Sequence, residues 1–471
     1  MIRKYLSMLT FQYERTLIYM LQQTEYDPKK YLKWLHRVKD FRQVEKRGKM
    51  VPTLKAHLLF DSLAIIVLIY TGLVLWWSYS LVSLWGAGVA LILVLIIPIW
   101  AQYVILLPLI LGHLLVQKPR SKQILGVAKK KLAEHGGIKI AVVGSYGKTT
   151  AKEVLKTVLL GGKKVAATPG NINQPLGFAR FINSLDGDED VLIFEMGEYR
   201  LGDLAKMCEF VQPEIGFITG VSEAHLENFG TLSNITKELF TIKEYLDEKL
   251  LYLNGDNEIL AKKGNATSVL YSENGLDGNP AHEVKISALG TDFKFDKFVV
   301  HSKLLGRHNI GIVAAAIDLA KKLGLNDSEI KKGLECVEPF EHRMQPRSIN
   351  GAFLIDDTYN GNFEGVKAGI RLVAEIPAQR KIYVTPGLVE QGDKTEEIHR
   401  EIGRLLAGSD FDEIVLMQNS VTDFIKIGLD SAKFSGKLTI IDDPLYFYEN
   451  LALFVTNGDL VLMQNDWTDN Y

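Results

Sequence analysis

The sequence predicts an α/β protein. An α-helical membrane hairpin lies near the N-terminus and is followed by a central α/β domain of the phosphate-loop type and a smaller, Rossmann-like α/β domain. Three observations support this prediction: residues 58–116 carry almost no charge, strand-length apolar runs alternate with helical stretches after Lys131, and a glycine-rich loop joins the first of these strands to a helix. A chain of 471 residues is too long for one core, so about three domains are expected.

The uncharged stretch holds two apolar segments, each reaching the roughly 20 residues that a bilayer crossing requires. Asp61 is the only charged residue within it, and lysines and arginines flank it on both sides. Because positive flanks stay in the cytoplasm, two crossings are the simplest topology. The alternative is a buried helix pair in a soluble protein, but such helices seldom run this long without a charge. Pro98 and Pro108 leave open whether the second segment is one span or is broken.

Residues 1–55 mix aromatic and basic side chains, as in "YLKWLHRVKDFRQVEKRGK". Two interpretations stay open, a basic amphipathic helix on anionic lipid and a solvated charged helix.

Charge and cysteine content argue against two classes of protein, those that bind nucleic acid and those held together by disulfides. The 54 Lys and Arg residues against 56 Asp and Glu leave no global positive field for nucleic acid. Two cysteines, Cys208 and Cys336, cannot form a disulfide framework, which indicates a reducing compartment.

The predicted domains are a basic N-terminal segment, a two-helix transmembrane hairpin, an ATP-binding central domain and a C-terminal domain, at residues 1–55, 56–117, 118–340 and 341–471. The last boundary rests on "CVEPFEHRMQP", whose two prolines and several charges are typical of a linker. Beyond it the strand and helix alternation begins again.

The loop Gly144-Ser-Tyr-Gly-Lys-Thr-Thr150 lies between a predicted strand and a predicted helix. Its glycines let backbone N–H groups approach phosphate oxygens, and the helix N-terminus favours their negative charge. Lys148 would reach the β and γ phosphates, and the Thr149 hydroxyl would bind Mg²⁺. Val142 stands where the common pattern has its first glycine. The loop alone predicts a nucleoside triphosphate and no more, and a chance glycine turn is the alternative.

Further motifs along the chain point to one protein family. After "GSYGKTT" come "TPGNINQPLG", "FEMG", "SEAHLENFG", "LLGRHN", "HRMQP" and "DDTYNGN". In this order and spacing they resemble the Mur ligases, over about residues 138–471. The resemblance implies an ATP- and Mg²⁺-dependent ligase. It would activate a peptide carboxylate of a UDP-linked or lipid-linked peptidoglycan precursor as an acyl phosphate and join it to an amino acid or to D-alanyl-D-alanine.

The resemblance also implies roles for individual residues. The nucleotide would be bound by Gly144, Ser145, Gly147, Lys148, Thr149, Thr150, His308, Asn309, Arg343, Asp357 and Asn360. The metal would be held by Thr149, Glu195 and His225, and the substrates would contact Asn171, Asn173 and Tyr359. Catalysis would depend on Lys148, His225, Arg343 and Asp357. The structural alternatives are a strand-end acid for Glu195, a structural histidine for His225, turn residues for both asparagines and a helix N-cap for Asp356 and Asp357.

The sequence departs from the family in several places. The membrane hairpin stands where the family has the domain that grips the UDP end of the precursor. Leu239 stands where many members have a lysine that is carbamylated for metal binding, with Lys237 and Lys243 nearby but out of register. Residues 464–467 replace the lysine and serine that would contact the amine donor, and Ile312 replaces an asparagine.

Three functions are therefore compared. The first is a ligase anchored in a bacterial cell membrane, with its catalytic domains in the cytoplasm. The second is an amino-acid polymer ligase similar to poly-γ-glutamate synthases, and the third is a noncatalytic ATP-binding scaffold of cell-wall synthesis. Leu239 favours the scaffold. The residues that oppose it are Lys148, Thr149, Glu195, His225 and Arg343.

Overall fold

The computed structural model describes residues 2–10, 12–47, 49–81, 84–170, 172–223, 226–246, 250–264, 267–359, 361–388 and 391–465. Their contacts divide the chain into two compact units, Met1–Ile124 and Leu125–Tyr471.

The N-terminal unit begins with four short helices, namely α1 (Ile2–Met8), α2 (Tyr13–Gln23), α3 (Pro28–Arg37) and α4 (Phe41–Arg47). Asp27 caps α3 by accepting from the N–H groups of Lys29 and Lys30, at 2.7 and 3.1 Å. The apolar sides of these helices are buried in one cluster with Leu63 and Ile105 of the following region. The apolar side of the basic N-terminal segment is thus covered by protein.

The apolar region consists of one long helix and several short ones. They are α5 (Leu54–Leu81), α6 (Leu84–Leu95), α7 (Ile97–Val104), α8 (Leu106–Gly112), a π-helical turn (His113–Gln117) and α9 (Lys118–Glu134). Pro98 and Pro108 each lie in the first turn of a new helix, where a missing N–H is tolerated. The second apolar segment is therefore interrupted near both prolines, at Ile96 and Ile105, although both residues keep right-handed helical dihedrals and Ile97–Glu134 remains one helical stretch.

Tyrosines from the first three helices bind to the broken segment. The hydroxyl groups of Tyr5, Tyr13 and Tyr31 donate to the backbone carbonyls of Leu95, Pro98 and Gln102, at 2.7, 3.0 and 2.9 Å. Helix breaks leave carbonyl groups without their usual intrahelical donor, so these hydroxyls stabilise the break.

Two helical stretches are long and apolar enough to cross a membrane, Leu54–Ser80 and Ile97–Glu134. Within their most apolar 18-residue windows only 17% and 28% of the residues are buried. Large apolar side chains such as Leu68, Trp76, Trp85 and Leu115 are exposed.

The second unit contains a central eight-stranded sheet. Its strands are β1 (Ile138–Val143), β2 (Val165–Ala167), β3 (Val191–Glu195), β4 (Ile215–Ile218), β5 (Leu251–Asn254), β6 (Ser268–Ser272), β7 (Gly275–Leu276) and β8 (Asn279–Pro280). The spatial order is β2-β3-β1-β4-β5-β6-β7-β8, with the first six strands parallel. From β1 the chain leads to one side of the sheet and from β4 to the other, and ligands bind at such a switch point in open α/β sheets.

Helices cover this sheet, and a small antiparallel sheet extends it. The helices that connect these strands are α10 (Lys148–Leu159), α11 (Pro175–Asn183), α12 (Asp203–Val211), α13 (Leu226–Phe229), α14 (Leu232–Phe240) and α15 (Glu258–Lys263). Next come β9 (His282–Ser287), β10 (Gly290–Phe295), β11 (Phe298–Ser302), α16 (His308–Lys322) and α17 (Asp327–Glu335). Strands β7 to β11 form antiparallel pairs, whereas β5 and β6 belong to the parallel part of the central sheet.

The C-terminal part forms a second sheet, with strands β12 (Gln345–Ile349), β13 (Ala352–Asp357), β14 (Arg380–Thr385), β15 (Glu413–Met417), β16 (Lys437–Ile441) and β17 (Asp459–Gln464). The order is β12-β13-β17-β14-β15-β16, and only the edge strand β12 is antiparallel. Its helices are α18 (Phe363–Glu375), α19 (Thr395–Ala407), α20 (Thr422–Ser431) and α21 (Pro444–Glu449).

Helices α19 and α20 cross through two glycines. A Cβ at Gly428 would lie 2.9 Å from the Cα of Gly403, so the backbones leave no room for a side chain. We expect Gly428→Ala to lower the free energy of unfolding by about 1–3 kcal/mol, as overpacked sites do. Gly408→Ala, whose Cβ would meet its nearest atom at 3.5 Å, is the matched control. Denaturant unfolding of both variants measures this, and equal losses would contradict the tight crossing.

Candidate active site

The glycine loop (residues 144–150) leaves the carboxyl end of β1 beside the end of β3. Strand pairing sets Val142 opposite Glu195, so the last residue of β3 faces the start of the loop. Gly144 has φ +142°, and a Cβ there would approach the backbone nitrogen of Gly220 to 3.0 Å. Gly147 has φ +77° and directly precedes α10. Both glycines are required because a side chain at either position would strain the turn.

Lys148 and Thr149 begin α10 and face two buried carboxylates. The Thr149 hydroxyl donates to Glu195 Oε1 at 3.0 Å. The Lys148 ammonium bends back to donate to the Gly144 carbonyl and lies 3.6 Å from Glu198 Oε2. Glu195 and Glu198 are each only 3% exposed. The loop thus brings together an ammonium, a hydroxyl and two carboxylates.

Lys152, one helical turn after Lys148, was not predicted from the sequence. It is completely buried, and its ammonium donates to the carbonyls of Thr168 and Gly170 at 3.0 and 2.6 Å. The same ammonium lies 3.2 Å from Glu195 Oε2. Lys152 therefore joins the helix after the glycine loop to the last residue of β3 and to the loop that precedes Asn171.

A cavity of about 420 Å³ extends from the glycine loop to the C-terminal sheet, a size typical of small-molecule sites. Tyr146, Gly147 and Thr150 line one end, and the start of α16 lines a wall. The other side comes from the C-terminal part, with Arg343, Asp357, Tyr359, Asn362 and Arg371.

His308 and Asn309 form one wall of this cavity. The Asn309 amide nitrogen donates to the Leu305 carbonyl at 2.8 Å, which fixes the orientation of the amide. The same nitrogen lies 3.1 Å from His308 Nε2, so that ring nitrogen accepts and the proton lies on Nδ1. Desolvation by the surrounding protein, with a smaller effect of the Arg371 charge, lowers the pKa of His308 to about 4, although the side chain is open to the cavity. The ring is therefore neutral at pH 7.

Arg343 and Asp357 come from the C-terminal side. The Arg343 guanidinium lies over the Tyr359 ring, 4.2 Å from its centroid. Burial lowers the pKa of Arg343, and the charges of Asp357 and Glu195 oppose this change. The guanidinium thus lies in the field of carboxylates from both sides of the cavity.

Gln464, at the end of β17, holds Asp357, at the end of the neighbouring β13. Its amide nitrogen donates to Asp357 Oδ2 at 2.8 Å, and its Oε1 accepts from the Tyr383 hydroxyl at 3.1 Å. The Met344 N–H donates to Asp357 Oδ1 at 3.2 Å. Burial raises the pKa of Asp357 to about 6 despite the Gln464 and Met344 hydrogen bonds and the Arg343 charge. Gln464, one of the residues that replace the family's amine-donor contacts, orients this carboxylate.

Among the described residues, three ion pairs join the central domain to the C-terminal domain. Arg307 Nε donates to both oxygens of Glu375 at 3.1 and 3.2 Å, Arg371 lies 3.5 Å from Glu273, and Lys394 pairs with Glu223. All are partly exposed, so each contributes little stability and the set mainly fixes orientation.

The structure brings together the predicted Gly144, Ser145, Gly147, Lys148, Thr149, Thr150, Glu195, His308, Asn309, Arg343, Asp357 and Tyr359 around the glycine loop and the cavity. Asn173 packs beside Gly197, whose N–H donates to its carbonyl at 3.0 Å. Asn171, His225, Asn360 and Trp467 lie outside the described residues.

The structure also describes the residues at which the sequence departs from the family and the two aspartates that were alternative helix caps. Leu239 is fully buried, and Lys237 and Lys243 are exposed. Ile312 lines the cavity. Asp356 and Asp357 end β13, and Asn362 is the residue that caps α18, so the N-cap alternative for the aspartates is wrong. The Lys152 and Gln464 contacts join residues distant in sequence, and no local pattern signals them.

The oxygens of Thr149 and Glu195 suit a hard cation such as Mg²⁺. Glu195 Oε2 is buried and accepts no hydrogen bond from any described residue, although Lys152 lies nearby. The donor set therefore fits a magnesium ion beside the glycine loop.

A strand–loop–helix turn with a lysine and a carboxylate, closed by a second α/β domain, defines a two-domain nucleotide-dependent enzyme. Residues 142–320 match the Mur ligase middle domain, and residues 342–464 match the Mur ligase glutamate ligase domain. The chain therefore belongs to the Mur ligase family of ATP-dependent ligases.

Several proteins similar to this chain share one enzyme name. The UDP-N-acetylmuramoyl-tripeptide–D-alanyl-D-alanine ligase of Borreliella burgdorferi is 29% identical over 334 residues, covering 67% of this chain and 68% of the relative. That of Escherichia coli is 28% identical, covering 59% and 63%. The chain thus spans about two thirds of the length of these relatives.

Solved structures show the same fold. MurF from Thermotoga maritima in complex with ADP has a TM-score of 0.63 and 26% identity, covering 74% of this chain and 80% of that one. MurF from Acinetobacter baumannii has a TM-score of 0.64 at 22% identity, covering 74% and 77%.

The first test of the site concerns Lys152. We expect Lys152→Met to lower the free energy of unfolding by about 3–5 kcal/mol, because it leaves Glu195 buried without its cation. Lys156→Met, one turn further on a half-exposed position of α10, should cost less than about 1 kcal/mol. Denaturant unfolding measures both, and a loss for Lys152→Met no larger than for Lys156→Met would contradict the pairing.

The second test concerns Asp357. Since its folded pKa of about 6 exceeds the ordinary 3.8, this group favours the folded state at low pH, and that contribution is lost as pH rises through about 6. Its contacts are N–H donors, which favour the ionised form. We therefore expect kcat/KM to rise with pH across about 6. Asp357→Asn should remove this rise from the pH profile of kcat/KM. If the rise persists in the variant, another group is responsible for it.

Proposed function

We propose that this chain is a membrane-anchored, ATP-dependent amide ligase that extends the peptide of a peptidoglycan precursor. One observation carries the proposal: Lys148, Thr149 and Glu195 meet Arg343 and Asp357 at a single cleft between two domains. Family membership supports the enzyme class, and the names of the relatives support the substrate class.

The reaction has two steps. A peptide carboxylate oxygen attacks the γ-phosphorus of ATP, the bond to the β-phosphate oxygen breaks, and an acyl phosphate and ADP form. An amine then attacks the acyl carbon, loses a proton and displaces inorganic phosphate. A bound Mg²⁺ supplies charge neutralisation on the phosphates.

The residues of the chain position these anionic groups. The N–H groups of the glycine loop and the start of α10 receive the phosphates, as a phosphate loop does. Lys148 would leave the Gly144 carbonyl for the β and γ phosphates, and Thr149 and Glu195 are the residues that would hold a bound Mg²⁺. The guanidinium of Arg343 is always charged and forked, which suits the transferred phosphoryl group. His308 and Asn309 line the nucleoside end, and Asp357 and Tyr359 face the acyl and amine substrates.

The helices α5–α8 are the proposed anchor. Two apolar stretches reach the length of a crossing, and most of their residues are uncovered by protein. Positive residues on both flanks favour a hairpin with the catalytic domains in the cytoplasm of a bacterial cell. The anchor would hold the ligase at the bilayer surface, where a lipid-linked muropeptide is presented. A UDP-linked muropeptide is the other acceptor to be tested.

A noncatalytic ATP-binding scaffold is the second candidate, and buried Leu239 is the observation that favours it. The ligase and the scaffold differ in whether bound ATP is turned over. A ligase releases phosphate only when acceptor and amine are both present, whereas a scaffold binds ATP and releases none.

The experiment uses full-length protein in nanodiscs with ATP and Mg²⁺. Muramoyl-tripeptide, UDP-linked or lipid-linked, is supplied with D-alanyl-D-alanine or single amino acids. We expect phosphate release that needs acceptor and amine, and a fall of at least about 100-fold in Lys148→Ala, which removes a cation from the transition state. Vesicle association of this variant should be unchanged. Release with glutamate alone would indicate a polymer ligase, and the absence of release with every pair would refute the ligase.

A further inference from the structure

Arg343 lies on the linker between the two domains, and the residues on either side of it have an unusual backbone conformation. The linker, residues 336–344, runs from α17 to β12. His342 has φ +56° and Met344 has φ +46°, so each neighbour of Arg343 is left-handed although neither is a glycine. Such residues rarely adopt this conformation, and it persists only where surrounding contacts hold it. Contacts from elsewhere in the domain must therefore hold the linker.

Those contacts come from the end of β13 and the residues that follow it. The imidazole Nδ1 of His342 lies 3.0 Å from Asp356 Oδ2, and because a carboxylate can only accept, this ring nitrogen carries the proton. The Tyr359 N–H donates to the His342 carbonyl at 3.4 Å. The Met344 N–H donates to Asp357 Oδ1 at 3.2 Å. Each left-handed residue is thus bound to one of two adjacent aspartates.

Asp356 is itself held firmly in place. It is 3% exposed, its Oδ1 accepts from the Thr358 hydroxyl at 2.7 Å, and its Oδ2 accepts from Arg347 Nη1 at 3.0 Å. Desolvation alone would raise the pKa of this carboxyl, but the hydrogen bonds from Thr358, His342 and Arg347 outweigh it and lower the pKa. Asp356 is therefore ionised at pH 7 and gives the linker a fixed point on β13.

The side chain of Arg343 is directed by the same segment. Its guanidinium lies over the Tyr359 ring, 4.2 Å from the centroid, and both residues line the cavity. Tyr359 is also the residue whose N–H binds the linker, so residues 356–359 fix both the backbone and the guanidinium of Arg343. A long side chain loses rotamer freedom when it is fixed, and placing it in advance makes that loss before the reaction.

We propose that Asp356 is a positioning residue for phosphoryl transfer, which holds His342 in its left-handed conformation and so keeps the Arg343 guanidinium directed into the cavity. This inference rests on the proposed function, in which Arg343 stabilises the transferred phosphoryl group. Asp356 is not one of the described residues that line the cavity, so it acts through the linker and not on the substrates.

The experiment separates this role from a loss of stability by using a second buried aspartate. Asp459 is also 3% exposed and pairs with Arg380, but it begins β17, at the opposite end of the C-terminal sheet from the end of β13. Asp356→Asn and Asp459→Asn are compared in full-length protein in nanodiscs, with the acceptor and amine that give the fastest phosphate release. Denaturant unfolding measures the stability of both variants.

We expect Asp356→Asn to lower kcat by at least about 10-fold and to change the KM for ATP by less than about 3-fold, because the lost interaction belongs to the transition state. Asp459→Asn should keep kcat within about 2-fold of the unaltered protein whatever its stability, since it contacts neither the linker nor the cavity. His342→Gly allows the left-handed conformation but lacks the imidazole donor, so it should match Asp356→Asn.

A double-mutant cycle tests whether Asp356 acts through Arg343. Arg343→Ala should lower kcat by at least about 100-fold, because it removes a cation from the transition state. Adding Asp356→Asn to Arg343→Ala should lower kcat by no more than about 2-fold further, since the two changes remove one contribution.

The outcomes distinguish this inference from the proposed function. An unchanged kcat in Asp356→Asn, an equal fall in Asp459→Asn, or a double variant in which the two losses multiply would overturn the inference and leave the ligase intact. If the unaltered protein releases no phosphate with any acceptor and amine, the proposed function fails and this inference fails with it.

Discussion

The pairing of buried charges at the ends of β1 and β3 is the constraint on which the site depends. Two carboxylates and the Lys152 ammonium lie there with almost no exposure to water, beside the partly buried Lys148 ammonium, and each buried charge needs a counter-charge. Lys152 meets this requirement for Glu195 and also satisfies two carbonyls of the loop after β2. The position of Glu195, and with it the proposed metal, is therefore set by an ammonium that does not itself face the cavity.

The same requirement extends to the second domain. Arg343 lies in the field of Glu195 and Asp357, which belong to different sheets, so the two sheets share one charged centre. The partly exposed pairs Arg307–Glu375 and Lys394–Glu223 lie at the rim, where water weakens them. This division suits a cleft that must open for substrates, because a rim of weak pairs separates at low cost while the buried centre keeps its geometry within each domain.

Much of this architecture was predictable because its signals are local. The glycine loop, the strand and helix alternation and the presence of a helix after the loop all follow from short runs of sequence. The contacts of Lys152 and Gln464 were not, since they depend on which strands become neighbours. Gln464 reaches Asp357 only because β17, the last strand, inserts beside β13. The break in the second apolar segment was left open for a similar reason: prolines mark it, but the tyrosines that stabilise it come from helices some 90 residues earlier.

The departures from the family pattern are unevenly distributed. Lys148, Thr149, Glu195, His308, Asn309 and Arg343 surround the glycine loop and the cavity as the resemblance implies. By contrast, Leu239 and Gln464 replace residues to which the resemblance assigns metal binding and contact with the amine donor. Each is buried and committed to packing or to a neighbouring side chain. A scaffold that only bound ATP would have no reason to keep Arg343 and a carboxylate oriented by three partners. We infer that phosphoryl transfer is retained and that the substrates, including how the acceptor is carried, are where this ligase differs.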